Sequence, residues 1–116
     1  MVKRIQPGKR MSQAVIHGDT VYLAGQVAED PSASIQNQTR SVLAKIDAIL
    51  AEAGSSKSDL ISVTVYLSSI ADFAAMNEVY DAWIDPANPA TRACLESRLA
   101  SPDLRVEIVA VAAKRS

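Results

Sequence analysis

Two charged residues stand inside strand-like sequence, where charge is costly to bury, and they are the first candidates for chemistry. Arg92 follows Pro89-Ala90-Thr91 in a segment, Thr91 to Arg98, that reads as a strand. Its guanidinium has two readings. It pairs with a carboxylate at the sheet edge, or its planar fork grips a substrate carboxylate through two parallel hydrogen bonds, which lysine cannot reproduce. Cys94, two residues on, points to the same side of such a strand. It is either a small buried hydrophobe or part of the same site, and no histidine stands near it in sequence to activate a thiolate. Glu107 is set between Val106 and Ile108 in the most apolar strand of the chain. A carboxylate there can take a proton from water, or it can match a charge on a neighbouring subunit. Asn77, in a helical stretch, orients a ligand amide, caps a loop or is simply solvated. Gly25, in Ala24-Gly25-Gln26, interrupts a strand, which implies a bulge or a close approach by a ligand or another backbone.

The elements that must carry these residues follow from periodicity. Gln13 to His17 and Thr20 to Val27 form two strands around Gly18-Asp19, a hairpin that leaves His17 as a turn residue. Apolar residues from Ile35 to Ala53 recur at helical spacing, with Gly54 in the C-terminal capping position and Gln36, Gln38, Arg40, Lys45 and Glu52 on the solvated side. Leu60 to Leu67 is a strand rich in branched side chains, with Ile61, Val63, Val65 and Leu67 on one side and Ser62, Thr64 and Tyr66 on the other. Ser69 and Asp72 form a capping pair for a second helix, whose Phe73, Met76, Tyr80, Trp83 and Ile84 read as core packing until Pro86. Thr91 to Arg98 and Arg105 to Ala112 close the chain, with Ser101-Pro102-Asp103 turning between them, locally a hairpin. Strands interspersed with two helices in one short chain imply an α+β fold, a single mixed sheet with both helices on one face. The polar side of strand 60 to 67 suits a face that meets another subunit better than open water.

Composition narrows the function classes. The 116 residues suit one domain, residues 1–116, and the 48% apolar content supports a packed core. Twelve Lys and Arg against thirteen Asp and Glu leave a net charge of −1, with no basic stripe for a phosphate backbone, so nucleic acid is not the expected partner. One cysteine and one histidine, far apart, supply no zinc ligand cluster, and no metal is expected. The absence of an apolar run of membrane-spanning length, a secretory leader or a possible disulfide partner for Cys94 predicts a soluble cytoplasmic protein with no membrane association.

The pieces Ser12-Gln13-Ala14-Val15, Leu23-Ala24-Gly25-Gln26-Val27, Asp72-Phe73-Ala74-Ala75-Met76-Asn77, Pro89-Ala90-Thr91-Arg92-Ala93-Cys94 and Val106-Glu107-Ile108 resemble, in order and spacing, the RidA (YjgF) family of reactive-intermediate deaminases. Any one piece alone is weak, but together they cover nearly the whole chain. The resemblance implies a fold similar to the Bacillus-type chorismate mutase, a homotrimer whose sheets pack together, and sites in the clefts between subunits. It also implies that strand 60 to 67 lies between the last two strands, against the local hairpin reading. By the same resemblance Arg92 holds the carboxylate of an imino or 2-oxo acid, the backbone at Cys94 positions the reacting group, Asn77 lines the pocket, and Glu107 activates water, with no cofactor.

Two positions depart from the family pattern. Arg10-Met11-Ser12 stands where archetypal members have Pro-Tyr-Ser, and Ala24-Gly25-Gln26 where they have Ser-Gly-Gln, so Met11 replaces a pocket tyrosine and Ala24 a pocket hydroxyl. Apolar groups there admit larger substrate side chains. A non-catalytic sensor of small carboxylates would use the same Arg92 pocket, and an RNA-cleaving or translation-inhibiting role belongs to a third class, disfavoured by the charge balance and the lone histidine.

Overall fold

Most of the sheet is built by alternation of apolar and polar residues, as seen in a computed structural model that describes residues 1–115. The expected hairpin is Ser12–His17 (β2) and Thr20–Leu23 (β3), turned through Gly18 at φ +61°, the left-handed conformation such a turn favours. The chain breaks step at Ala24 and Gly25, and Gln26–Val27 (β4) resumes along the same neighbour. A strand not expected from sequence, Val2–Pro7 (β1), adds to the free edge of β2; only its Ile5 is buried, so it carries no apolar alternation to read.

Helix α1 spans Ile35–Glu52. The Ser34 hydroxyl accepts the Asn37 backbone N–H at 3.1 Å, capping its start. It ends in a Schellman motif, with Gly54 at φ +78° and the backbone N–H of Ser55 reaching Leu50 O at 2.8 Å. One residue read as solvated is the opposite. Gln38 is fully buried. Its amide donates to Pro31 O, Ala33 O and Asp103 O at 3.0–3.2 Å, and its carbonyl accepts the Arg105 N–H at 2.9 Å. It thereby ties together the loop before α1 and the loop before the last strand. Gln38→Ala leaves those backbone groups without partners and should destabilise the fold by about 3 kcal/mol, measured by denaturant unfolding.

The second helix, α2, spans Phe73–Trp83 and is preceded by a single 3-10 turn at Ile70–Asp72. Ser69 caps that turn rather than α2, accepting the Ala71 N–H. Asp72 is held from the other side, where its carboxylate takes two hydrogen bonds from the Arg105 guanidinium at 2.8 and 3.2 Å, so the expected capping pair does not form.

Leu60–Leu67 (β5), Thr91–Glu96 (β6) and Val106–Ala113 (β7) complete one mixed sheet in the order β1-β2-β3-β7-β5-β6, with β4 beside β7. β5 lies between β6 and β7, so the local hairpin reading of the last two strands fails and the arrangement implied by the resemblance is the one present. β5 and β6 run parallel, joined through α2; every other pairing is antiparallel. A register shift between Leu60 and Ser62 turns Ile61 outward, where it is 48% exposed, and puts Leu60 in the core instead.

α1 packs on α2 and on β7, and both helices lie on one face of the sheet. Val21, Val63, Val65, Leu67, Val106 and Ile108 are buried beneath them. The opposite face is open and carries Tyr22, Thr64, Tyr66, Leu95, Val109 and Val111, a surface of rings, methyls and hydroxyls with little charge.

Candidate active site

Arg92 sits on β6, the outermost strand on its side of the sheet. It pairs in register with Val63, which is buried under the helices, so its side chain leaves the sheet on the helix side. There it meets α2. Nη1 donates to Asn77 Oδ1 at 2.6 Å, and Cζ lies 4.8 Å from the centre of the Tyr80 ring and 5.9 Å from that of Phe73. Among the described residues Arg92 makes no ion pair with a carboxylate; the edge-pairing reading is not what the fold builds. Asn77 is not idle on the helix surface either, since it fixes one end of the guanidinium.

Cys94 pairs with Val65, lies on the same side as Arg92 and packs partly buried against the core. Burial pushes its thiol above the ordinary cysteine range, and the Arg92 charge opposes that only in part. The thiol is therefore held protonated near neutral pH and is not an activated nucleophile. Phe73 and Tyr80 were read as core. Tyr80 is buried and Met76 fully so, but Phe73 is 43% exposed, and both rings face Arg92. The signal was their spacing with Asn77: positions 73, 77 and 80 share one helix face.

Glu107 stands elsewhere. It pairs with Tyr66 on β5 and alternates with the buried Val106 and Ile108, so its side chain leaves the sheet on the open face. It lines a depression of about 260 Å³ with Tyr66, Ser97, Arg98 and Val109. Its carboxylate lies against Gly25. A Cβ built there would overlap Glu107 Oε2 and stand 3.0 Å from Cδ. Gly25 does not have a positive φ. The glycine is thus explained by the space the carboxylate occupies; the close approach is by a side chain, not by another backbone.

Ala24 and Gln26 hold that break in place. Ala24 N–H donates to Gln13 O at 2.9 Å, while the Gln26 amide donates to Ala24 O and to Gln13 Oε1. Met11, 48% exposed, borders a groove of about 410 Å³ together with Gly25, Gln13, Val27 and Lys45. The candidate residues therefore fall into two groups. Arg92, Cys94 and Asn77 come together on the helix side of the sheet edge; Glu107 meets Gly25 at the β3–β4 break beside Ala24, and Met11 reaches that break only through the groove it shares with Gly25. Within one chain the Arg92 and Glu107 side chains project from opposite faces.

Residues 1–114 match the family described as Endoribonuclease L-PSP. The RutC family protein of Haemophilus ducreyi is 42% identical over 113 residues, 97% of each chain. The RutC family protein YoaB of Escherichia coli K12 is 40% identical over 112 residues, again 97% of each. A crystal structure of a YjgF family member from Neisseria meningitidis superposes with a TM-score of 0.97 at 40% identity, covering 100% of this chain and 97% of that one. One of a proposed translation initiation inhibitor from Salmonella typhimurium gives 0.89 at 40% identity, covering 97% and 96%. Sequence and fold agree over nearly the whole chain, and the chain belongs to the YjgF/RidA family.

Proposed function

We propose that this chain is a cytoplasmic, cofactor-independent deaminase that hydrolyses imines of 2-amino acids in the clefts of a homotrimer. The observation that carries this reading is Arg92, an exposed guanidinium oriented by α2, without a carboxylate partner among the described residues. Such a group suits a ligand carboxylate held through two hydrogen bonds. Glu107, seated in its own recess on the other face, supplies the base once a neighbouring subunit brings the two together.

The chemistry is short. An enamine such as 2-aminoacrylate tautomerises to its imine; water adds to the C=N carbon as its proton passes to the Glu107 carboxylate. That proton returns to nitrogen to give a carbinolamine; the carbinolamine hydroxyl then gives up its proton through the same carboxylate to nitrogen as the C=O forms, the C–N bond breaks, and ammonia leaves a 2-oxo acid. Fixing the carboxylate converts a collision into an oriented encounter. The open sheet face, poor in charge, suits burial against like faces of two further copies.

Relatives carry the names endoribonuclease and translation initiation inhibitor, which would make RNA the target. A net charge of −1 and a single histidine, His17 exposed beside a hairpin turn, speak against that reading. The test is an imine-trapping assay. An amino-acid oxidase generates the imine, semicarbazide competes for it, and the protein is expected to lower the yield of trapped adduct. Trapping at the same yield with and without protein, over a range of side chains, would sink the proposal.

A further inference from the structure

We propose that Tyr80 and Phe73 are positioning residues that hold the Arg92 guanidinium as a fixed fork, an inference that rests on Arg92 binding a ligand carboxylate. An arginine on an edge strand has a neighbouring strand on one side only, and its long side chain would ordinarily sweep through several rotamers. Here three residues of one face of α2 restrain it. Tyr80 approaches the cation with its ring centre at 4.8 Å, Phe73 stands at 5.9 Å, and Asn77 accepts one hydrogen bond at 2.6 Å. The rings attract the charge without consuming a hydrogen-bond donor. A carboxylate in their place would also hold the side chain, but it would occupy the fork itself and compete with the ligand.

The division of labour is specific. Asn77 takes an Nη1 donor, and neither Nε nor Nη2 has a hydrogen-bond partner among the described residues. Those donors remain for a ligand carboxylate. Tyr80 is 5% exposed, and burial pushes its phenol above the ordinary tyrosine range despite the opposing Arg92 charge, so it presents a neutral ring at physiological pH. What it offers Arg92 is its face.

The experiment compares Tyr80→Phe, Tyr80→Leu and Phe73→Leu by calorimetric binding of 2-oxobutanoate, by KM and kcat for imine hydrolysis, and by NMR of the Arg92 Nε–H. Tyr80→Leu and Phe73→Leu should each weaken oxo acid binding and raise KM by about ten-fold, whereas Tyr80→Phe stays within about two-fold of wild type. The Arg92 Nε–H signal, sharp in wild type, should broaden in both leucine variants. Because Phe73 is on the surface, Phe73→Leu remains informative if Tyr80→Leu does not fold. Leucine variants that bind the oxo acid as wild type does, or a Tyr80→Phe variant as impaired as Tyr80→Leu, would overturn the proposal. Oxo acid binding that follows this pattern in a protein without imine turnover would leave the cradle standing and remove only the deaminase reading.

Discussion

Trimers assembled from an equal mixture of Arg92→Ala and Glu107→Gln chains should recover about a quarter of wild-type imine hydrolysis, although each variant alone has almost none. Arg92 and Glu107 leave opposite faces of the sheet, on registers set by Val63 and Tyr66, so one chain cannot close the site on itself. If each cleft of a cyclic trimer takes the arginine from one subunit and the glutamate from the next, a cleft is intact only when both donors are the right variant. Random assembly makes that a product of two halves. Arg92→Ala alone removes the anchor that orients the imine and should cost at least about a hundred-fold in rate while the trimer stays folded; Arg92→Lys restores part of it. The mixture is made by unfolding and refolding the two variants together, and native mass spectrometry counts the mixed species. Mixed trimers without recovered activity would show that both groups act from one subunit or that one of them is dispensable.

Glu107→Gln should depress turnover about a hundred-fold to ten-thousand-fold and leave 2-oxo acid affinity nearly unchanged. The amide keeps the shape and can still orient water, but it cannot take water's proton, whereas the carboxylate anchor, Arg92, is untouched on the other face. Gly25→Ala is the companion variant. The added methyl collides with Oε2 and must push the carboxylate from its recess, so the same turnover loss is expected with Glu107 still present. Stopped-flow or trapping kinetics beside calorimetry separate the two quantities. Wild-type turnover in Glu107→Gln would reduce Glu107 to a structural charge.

Arg92 and Glu107 were legible in the sequence because charge inside apolar strand sequence is expensive and therefore conspicuous. Their separation onto two faces was not, since it depends on β5 lying between β6 and β7, a pairing that no local pattern encodes. Gln38 shows the opposite failure. It looks solvated because its partners are backbone groups, among them Asp103 O, 65 residues away. Phe73 departs from its core reading for a subtler reason, in that helical spacing is the same for residues that fill a core and residues that face a neighbouring side chain from the surface, while Tyr80 does both. Ile61 reads as sharing a face with Val63 because strict alternation takes no account of a bulge, and β1 is invisible because it buries one side chain.

The central position of β7 bears on how the protein emerges during synthesis. β7 is the last strand in the chain, yet it joins β3 and β4 on one side to β5 on the other. Until it is made, the earlier strands exist as two unconnected half-sheets, β1-β2-β3 and β5-β6, each with an unpaired edge open to aggregation. The sheet therefore cannot close before β7 has emerged. The strand that completes the sheet is also the one that delivers Glu107. A chain cut short of β7 would thus lose the centre of its sheet and Glu107 together.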